Sequence, residues 1–115
     1  MKDDFQTWFA GLSVMPGMLA CGVRRPGGKC ATYGEGKNYP VEKIEKLLRQ
    51  CVELHEPLPA AGFSPRWTTW AFEFGHLRFV PRPDKWLLML LASPDSEAVR
   101  ELDRISEDFL IHPFK

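Results

Sequence analysis

The chain has little with which to perform covalent or metal chemistry. It has three cysteines, Cys21, Cys30 and Cys51, none in a CxxC pair, and three histidines, His55, His76 and His112, scattered singly. A structural zinc site needs more ligands at closer spacing. General bases need partners arranged around them, and none stands near these histidines in the sequence. No GxSxG elbow or Walker pattern occurs. Arg24-Arg25-Pro26-Gly27-Gly28-Lys29 places glycines among basic residues, but no helix follows directly to converge amides on an anion. It reads as a hairpin turn with solvated charges. No charge of either sign dominates: lysine plus arginine total 15, as do aspartate plus glutamate. A neutral chain has no electrostatic pull toward nucleic acid or an acidic membrane. No apolar run approaches the roughly 18 residues that a spanning helix needs. The start, Lys2-Asp3-Asp4, does not resemble a signal peptide. With an odd cysteine count, these absences point to a reducing, cytoplasmic setting and to buried or half-buried thiols. The expectation is a protein that is not an enzyme, with no catalytic residues, no metal, no cofactor, no nucleic acid and no membrane partner.

What the chain does have is a core. Its 115 residues are 44% apolar and 26% charged, enough for a single domain over 1–115 with its core at approximately 4–110. The richest block runs from Pro65 to Ala92. Gly75-His76 separates Trp67-Thr68-Thr69-Trp70-Ala71-Phe72-Glu73-Phe74 from Leu77-Arg78-Phe79-Val80. With those two residues as a tight turn, Phe74 opposes Leu77, Glu73 opposes Arg78, and Phe72 opposes Phe79. Side chains alternate along a strand, so Trp70, Phe72, Phe74, Leu77 and Phe79 then share a core face. The opposite face carries a Glu73–Arg78 ion pair and Trp67, which reads equally as a local lid or as a partner contact. Trp86-Leu87-Leu88-Met89-Leu90-Leu91-Ala92 does not alternate, as befits a strand covered on both faces.

The rest of the chain supplies the covers. Phe5, Trp8, Phe9 and Leu12 lie on one helical stripe, with Asp3 or Asp4 as its cap. Met15-Pro16-Gly17 ends that helix. Met18–Arg25 and Lys29–Tyr33 read as strands joined by Pro26-Gly27-Gly28. A second helix starts after Pro40, with Asn38 as its cap. Its apolar positions, Val41, Ile44, Leu47, Leu48, Cys51, Val52, Leu54 and His55, cover an arc of about 160° at about 100° per residue. One contact with a sheet needs less. The last helix begins near Ser93-Pro94, carries Val99, Leu102, Ile105 and Phe109 inward, and ends at His112-Pro113.

The order α-β-β-α-β-β-β-α and the piece Leu12 through Met15-Pro16-Gly17-Met18 to Gly22-Val23 resemble roadblock domains of the dynein light chain type. There a helix ends in an apolar-Pro-Gly turn and a strand follows at once. The mid-turn glycine of the second hairpin and the leucine-rich last strand resemble the same family. The resemblance implies an α+β, profilin-like α/β/α sandwich on a five-stranded antiparallel sheet. It also implies a non-enzymatic scaffold, a homodimer or heterodimer, that binds or regulates a small Ras-like GTPase. Family dimers join through their central helices and third strands. Here that places the partner contact at Val41, Leu48 and Val52 on the second helix and Trp67, Thr69, Ala71 and Glu73 on the third strand, with Ile44, Leu47 and Cys51 on the sheet. A symmetric contact reuses one patch on both chains, and a long edge strand left open is adhesive. An alternative is a profilin-like or PAS-like sensing or interaction module, with Trp70, Phe72 and Phe79 lining a ligand pocket. Arg24, Arg25 and Arg82 read as exposed, with no arginine finger assignable among them.

Overall fold

A computed structural model describes residues 4–114. Lys2 and Asp3, which entered the reading of the N-terminus, lie outside them. The elements are α1 Asp4–Ser13, β1 Met18–Arg24, β2 Cys30–Gly34, α2 Val41–His55, β3 Thr68–Phe72, β4 Gly75–Pro81, β5 Leu87–Ala92, a short α3 Glu97–Arg100, and α4 Leu102–Ile111. The strands form a five-stranded sheet in the order β2-β1-β5-β4-β3, every pair antiparallel.

β5 lies at the centre, and its leucines serve both faces. Leu88, Leu90 and Ala92 join Cys21, Val23 and Val80 beneath α1 and α4, which contribute Phe5, Leu12, Leu102, Ile105 and Phe109. Met89 and Leu91 join Ala20, Leu77 and Phe79 on the other face, beneath Ile44, Leu48 and Cys51 of α2. Burying one such large apolar side chain is worth roughly 1.5–3 kcal/mol. The two clusters therefore hold the three layers together, as expected for an α/β/α sandwich.

The Met15-Pro16-Gly17 turn locks two elements at once. Gly17 has φ +89°, and a Cβ built there would lie 2.1 Å from the Cβ of Ser96. The Ser93 amide donates to the Gly17 carbonyl at 2.8 Å, and the Ala98 amide donates to the Pro16 carbonyl at 3.0 Å. Only a residue without a side chain lets the start of α3 sit this close. Ser96, not Ser93, is the cap: its Oγ accepts from the Val99 amide at 3.1 Å. The last helical region is thus broken at Glu101 into α3 and α4. The C-terminal tail returns to the core, with Phe114 stacked on Trp86 at 4.7 Å and edge-on to Phe5 at 5.6 Å.

Several local expectations are corrected. The second hairpin turns at Glu73-Phe74, with Phe72 opposite Gly75, Trp70 opposite Leu77 and Thr69 opposite Arg78. Gly75 belongs to the strand, where a Cβ would meet the Ala92 carbonyl oxygen at 2.9 Å. Its glycine answers a close approach by β5, not a turn dihedral. The turn moves by two positions and the cross-strand partners by four, Phe79 facing Thr68 in place of Phe72, and because that shift is even Trp70, Leu77 and Phe79 keep their face. His76 consequently sits in β4 opposite Ala71, not in a turn. In the first hairpin a two-residue turn at Gly27-Gly28 would set Cys30 opposite Arg25 and Cys21 opposite Gly34; instead Arg24 opposes Cys30 and Cys21 opposes Tyr33, because Pro26, Gly27 and Gly28 together form the loop inside the Arg25–Lys29 pair. Pro40 occupies the cap position of α2 with no side-chain cap, and Asn38 only accepts from Lys43 Nζ through its carbonyl. Asp4 is already helical, and its carboxylate lies 2.7 Å from His112 Nε2.

Candidate protein-interaction face

α2 covers less of the sheet than its length suggests. Ile44, Leu48 and Cys51 are its sheet-facing residues, all buried. Leu48, expected at a partner contact, is fully inside this cluster, while its neighbour Leu47 is only half-buried. At about 100° per residue, Leu47 and Leu54 fall beyond Cys51 on one side of the inward stripe, and Val41 and Val52 fall beyond Leu48 on the other. Val41 is 51% exposed and Leu54 58% exposed; Val52 is half-buried.

β3 is the edge strand next to that flank. Thr69, Ala71 and Glu73 are exposed. Trp70 is half-buried, but Phe72 is 45% exposed and Phe74 59% exposed, against the expectation that both fill the core. Their rings stack on each other at 5.4 Å between centroids. Between α2 and β3 runs an open groove of about 390 Å3 that includes Leu47, Leu54, Trp70 and Phe72. It continues into a hollow of about 270 Å3 bounded by Tyr39, Leu47, Phe72 and Phe74. A further apolar hollow of about 420 Å3, with Leu58, Phe63, Pro65 and Trp67, flanks the strand on its other side. The edge strand is thus bordered by apolar surface, the signature of a contact site.

Trp67 packs inward from β3's approach while still bordering the apolar hollow. It is half-buried against the core under α4 and lies between the guanidinium groups of Arg66 at 5.1 Å and Arg78 at 4.8 Å. Arg78 does not pair with Glu73. It is buried beneath α4, donating to Thr69 Oγ1 at 2.6 Å, Ser106 Oγ at 2.8 Å and Asp103 Oδ1 at 2.9 Å. Arg66 reaches the same helix through a two-pronged contact with Glu107 at 2.8 and 2.6 Å. These hydrogen bonds hold the Glu107 carboxyl below its ordinary value.

No family model matches the chain, and no curated protein matches it. Solved structures do. MglB of Myxococcus xanthus superimposes with a TM-score of 0.68 at 9% identity, over 96% of this chain and 90% of that one. A Roadblock/LC7 domain from Streptomyces avermitilis gives 0.60 at 14% identity, over 86% of this chain and 88% of that one. This chain has the roadblock/LC7 fold. MglC of Myxococcus xanthus, with a TM-score of 0.55 at 18% identity over 90% and 94%, agrees with that. At such identities the likeness speaks for the fold.

Within the roadblock/LC7 fold, the titratable groups weighed in the sequence do not converge. Burial pushes the thiols of Cys21 and Cys51 up to about 12, and raises that of Cys30. A thiol so raised is a poor nucleophile. The three cysteines are free, two buried and Cys30 half-buried. Among the described residues no group of three or more His, Cys, Asp or Glu is placed to hold a metal. His55 packs edge-on to Phe79 at 5.4 Å, and its Nδ1 lies 3.3 Å from Thr68 Oγ1. Phe79 is buried in packed core, so Trp70, Phe72 and Phe79 enclose no pocket together; the first two border the open groove. Arg82, read as exposed, is a structural residue. Its Nη1 donates to the carbonyls of Phe109 and His112 at 2.8 Å each, closing the end of α4, and Asp84 holds its other side. No helix among the described residues is long and apolar enough to cross a membrane.

The residues that sequence reasoning assigned to the core, Phe72 and Phe74, and those it placed on the sheet or did not single out, Leu47 and Leu54, make up much of the exposed face. The signal available was the width of the α2 arc, which includes both leucines. Nothing in the sequence marked how far the helix reaches across the sheet.

Proposed function

We propose that this protein is a non-enzymatic, dimeric platform that binds a small Ras-like GTPase. The observation that carries the reading is the apolar face made by Leu47, Leu54, Trp70, Phe72 and Phe74 beside the open edge of β3. A second copy brought to that face covers it on both chains in one operation, because a twofold contact is self-complementary. Thr69, Ala71 and Glu73 supply the strand edge, while Val41 and Val52, about 120–140° round α2 from Leu47, lie on the far flank of the buried stripe and outside this patch. Leu48 is withdrawn from the contact by its burial, with Leu47 and Leu54 in its place, and Trp67 supports the strand from beneath.

The GTPase part of the reading rests on the resemblance to roadblock domains and on the shared fold with MglB and MglC. Its test is a pull-down from the native cell with the purified protein as bait, in GDP and in a non-hydrolysable GTP analogue. The expected result is a small Ras-like GTPase recovered preferentially in one nucleotide. Recovery of none in either nucleotide refutes the GTPase assignment, and leaves the dimer to be judged by its own measurement.

A further inference from the structure

The edge strand β3 has an apolar feature at each end. At its far end the turn carries Phe74, 59% exposed and stacked on Phe72. At its near end lies the hollow of about 420 Å3 that Leu58, Phe63, Pro65 and Trp67 form beside Thr68 and Thr69. Phe63 is 62% exposed. The hollow has a fixed wall. The Leu58 carbonyl accepts from the Ala61 amide at 3.1 Å and from the Phe63 amide at 2.9 Å, and Gly62 reverses the chain at φ +92°. Pro57, Pro59 and Pro65 restrict the same connection further. Among the described residues, none of those lining the hollow is charged. Arg66, next to it in sequence, is turned to Glu107 on α4.

The two features match under the symmetry of an edge-to-edge pair. Phe72 and Gly75 flank the two-residue turn and pair directly. Thr68, Trp70 and Phe72 therefore direct their backbone groups at β4, while Thr69 and Ala71 direct theirs outward. A twofold axis normal to the sheet runs two such edges antiparallel. With Thr69 paired to Ala71 of a second copy, that copy's Phe72 stands opposite Thr68. With Ala71 paired to Ala71, its Phe74 stands there. In either register the turn of each copy lies against the hollow of the other. Glu73, the one charged residue of the turn, alternates to the other face with Thr69 and Ala71 and is exposed, so this contact does not bury it. The size of the patch also calls for an extension. At about 200 Å2 for a whole phenylalanine side chain, the exposed parts of Phe72 and Phe74 offer roughly 200 Å2 together, against about 800 Å2 per partner in a standard interface. Phe63 is a further exposed large apolar residue beside that edge.

We propose that the hollow of Leu58, Phe63, Pro65 and Trp67 is the seat for the turn at residues 72–74 of a second copy of this chain. The contact presupposes the β3-edge dimer proposed above and is independent of the GTPase. It is made twice in each pair, once at either end of the joined strands. It gives the connection at residues 56–67 a part in choosing the partner: a chain with a similar sheet edge but no matching hollow pairs less well.

The test is sedimentation equilibrium of the parent and of Phe63→Asp, joined to a crosslink that reads position. Phe63 and Phe74 are both more than half exposed, so their variants are expected to keep the fold by circular dichroism. Phe63→Asp is expected to raise the Kd of the dimer by at least about tenfold, as loss of an apolar anchor does. For the crosslink, Phe63→Cys and Phe74→Cys are made separately in a Cys30→Ser background, since Cys21 and Cys51 are buried. Under mild oxidation a disulfide-linked pair is expected from the mixture of the two variants and from neither alone. A dimeric parent whose Kd is unmoved by Phe63→Asp, or whose mixed variants form no linked pair, overturns this contact and leaves the dimer standing. A parent that is monomeric at every concentration overturns both.

Discussion

Replacing Arg78 tests the account of how β4, α4 and Trp67 are tied together. Its side chain is 8% exposed and makes three hydrogen bonds, to Thr69, Ser106 and Asp103, with the Trp67 ring beside the guanidinium. Hydrogen bonds to a charged group are worth about 1.5–3 kcal/mol, and ordinary ones nearer 1 kcal/mol. Removing one member of a buried pair reaches 3–5 kcal/mol when a charge is left stranded. Here the partner carboxylate, Asp103, is 80% exposed and stays solvated, while Ser106 Oγ still donates to the Leu102 carbonyl at 2.7 Å. Arg78→Ala should therefore cost about 3 kcal/mol, from the lost bonds and from the space beside Trp67. Arg78→Met, which keeps the stem, should cost about half as much. Asp103→Asn should cost well under about 1 kcal/mol, because an exposed partner contributes little. Urea denaturation followed by tryptophan fluorescence reads all three. The reasoning is refuted if Asp103→Asn is as damaging as Arg78→Ala, or if Arg78→Ala costs less than about 1 kcal/mol.

Gly17→Ala combines a positive φ with a side chain driven into Ser96, and should destabilise by roughly 2–4 kcal/mol; a thermal melt within a degree or two of the parent would contradict that contact. Asp84 gives a pH signature. Burial acts to raise its carboxyl, but the hydrogen bonds from Arg82 and the Trp86 amide, with the Arg82 charge, outweigh it and hold it below its ordinary 3.8. A lowered folded value means that the stabilisation is present above the ordinary carboxylate range and disappears as pH falls through the lowered one. The advantage of the parent over Asp84→Asn in urea melts should be full at about pH 7 and shrink below about pH 4; an advantage constant with pH would exclude the ion pair as its source. Arg82→Met leaves the Phe109 and His112 carbonyls without their donor and should loosen the end of α4, seen as faster amide exchange there. Unchanged exchange would mean that those carbonyls do not depend on Arg82.

Much of the fold was legible because its strands obey simple periods. β5 announces its central place by being apolar on both faces, and in β4 Leu77 and Phe79 at alternate positions mark the face under α2. The face of Trp70, Leu77 and Phe79 was readable even though the turn was misplaced, since a displacement of two positions preserves parity. Gly75 misled because a glycine among aromatics reads as a turn, whereas here it makes room for the carbonyl of Ala92 across the ladder. That reason is invisible until β5 is in place. The choice between Leu47 and Leu48 was equally hidden. Both lie in one wide apolar arc, and only the position of α2 on the sheet decides which is inside. Phe114 follows Pro113, outside any helical period, so nothing local marked its return to Trp86. The interaction face emerged where local pattern and global cover disagree: phenylalanines with core chemistry at the end of a strand that α2 does not reach.

The mass of the protein in solution tests the central claim most directly. The chain weighs 13.2 kDa. Size-exclusion chromatography with light scattering should return twice that mass, and Phe72→Glu combined with Phe74→Glu should return the single-chain mass with the fold intact by circular dichroism. A parent protein that remains at 13.2 kDa at the highest attainable concentration would contradict the dimeric platform. So would a doubled mass that is indifferent to both glutamates.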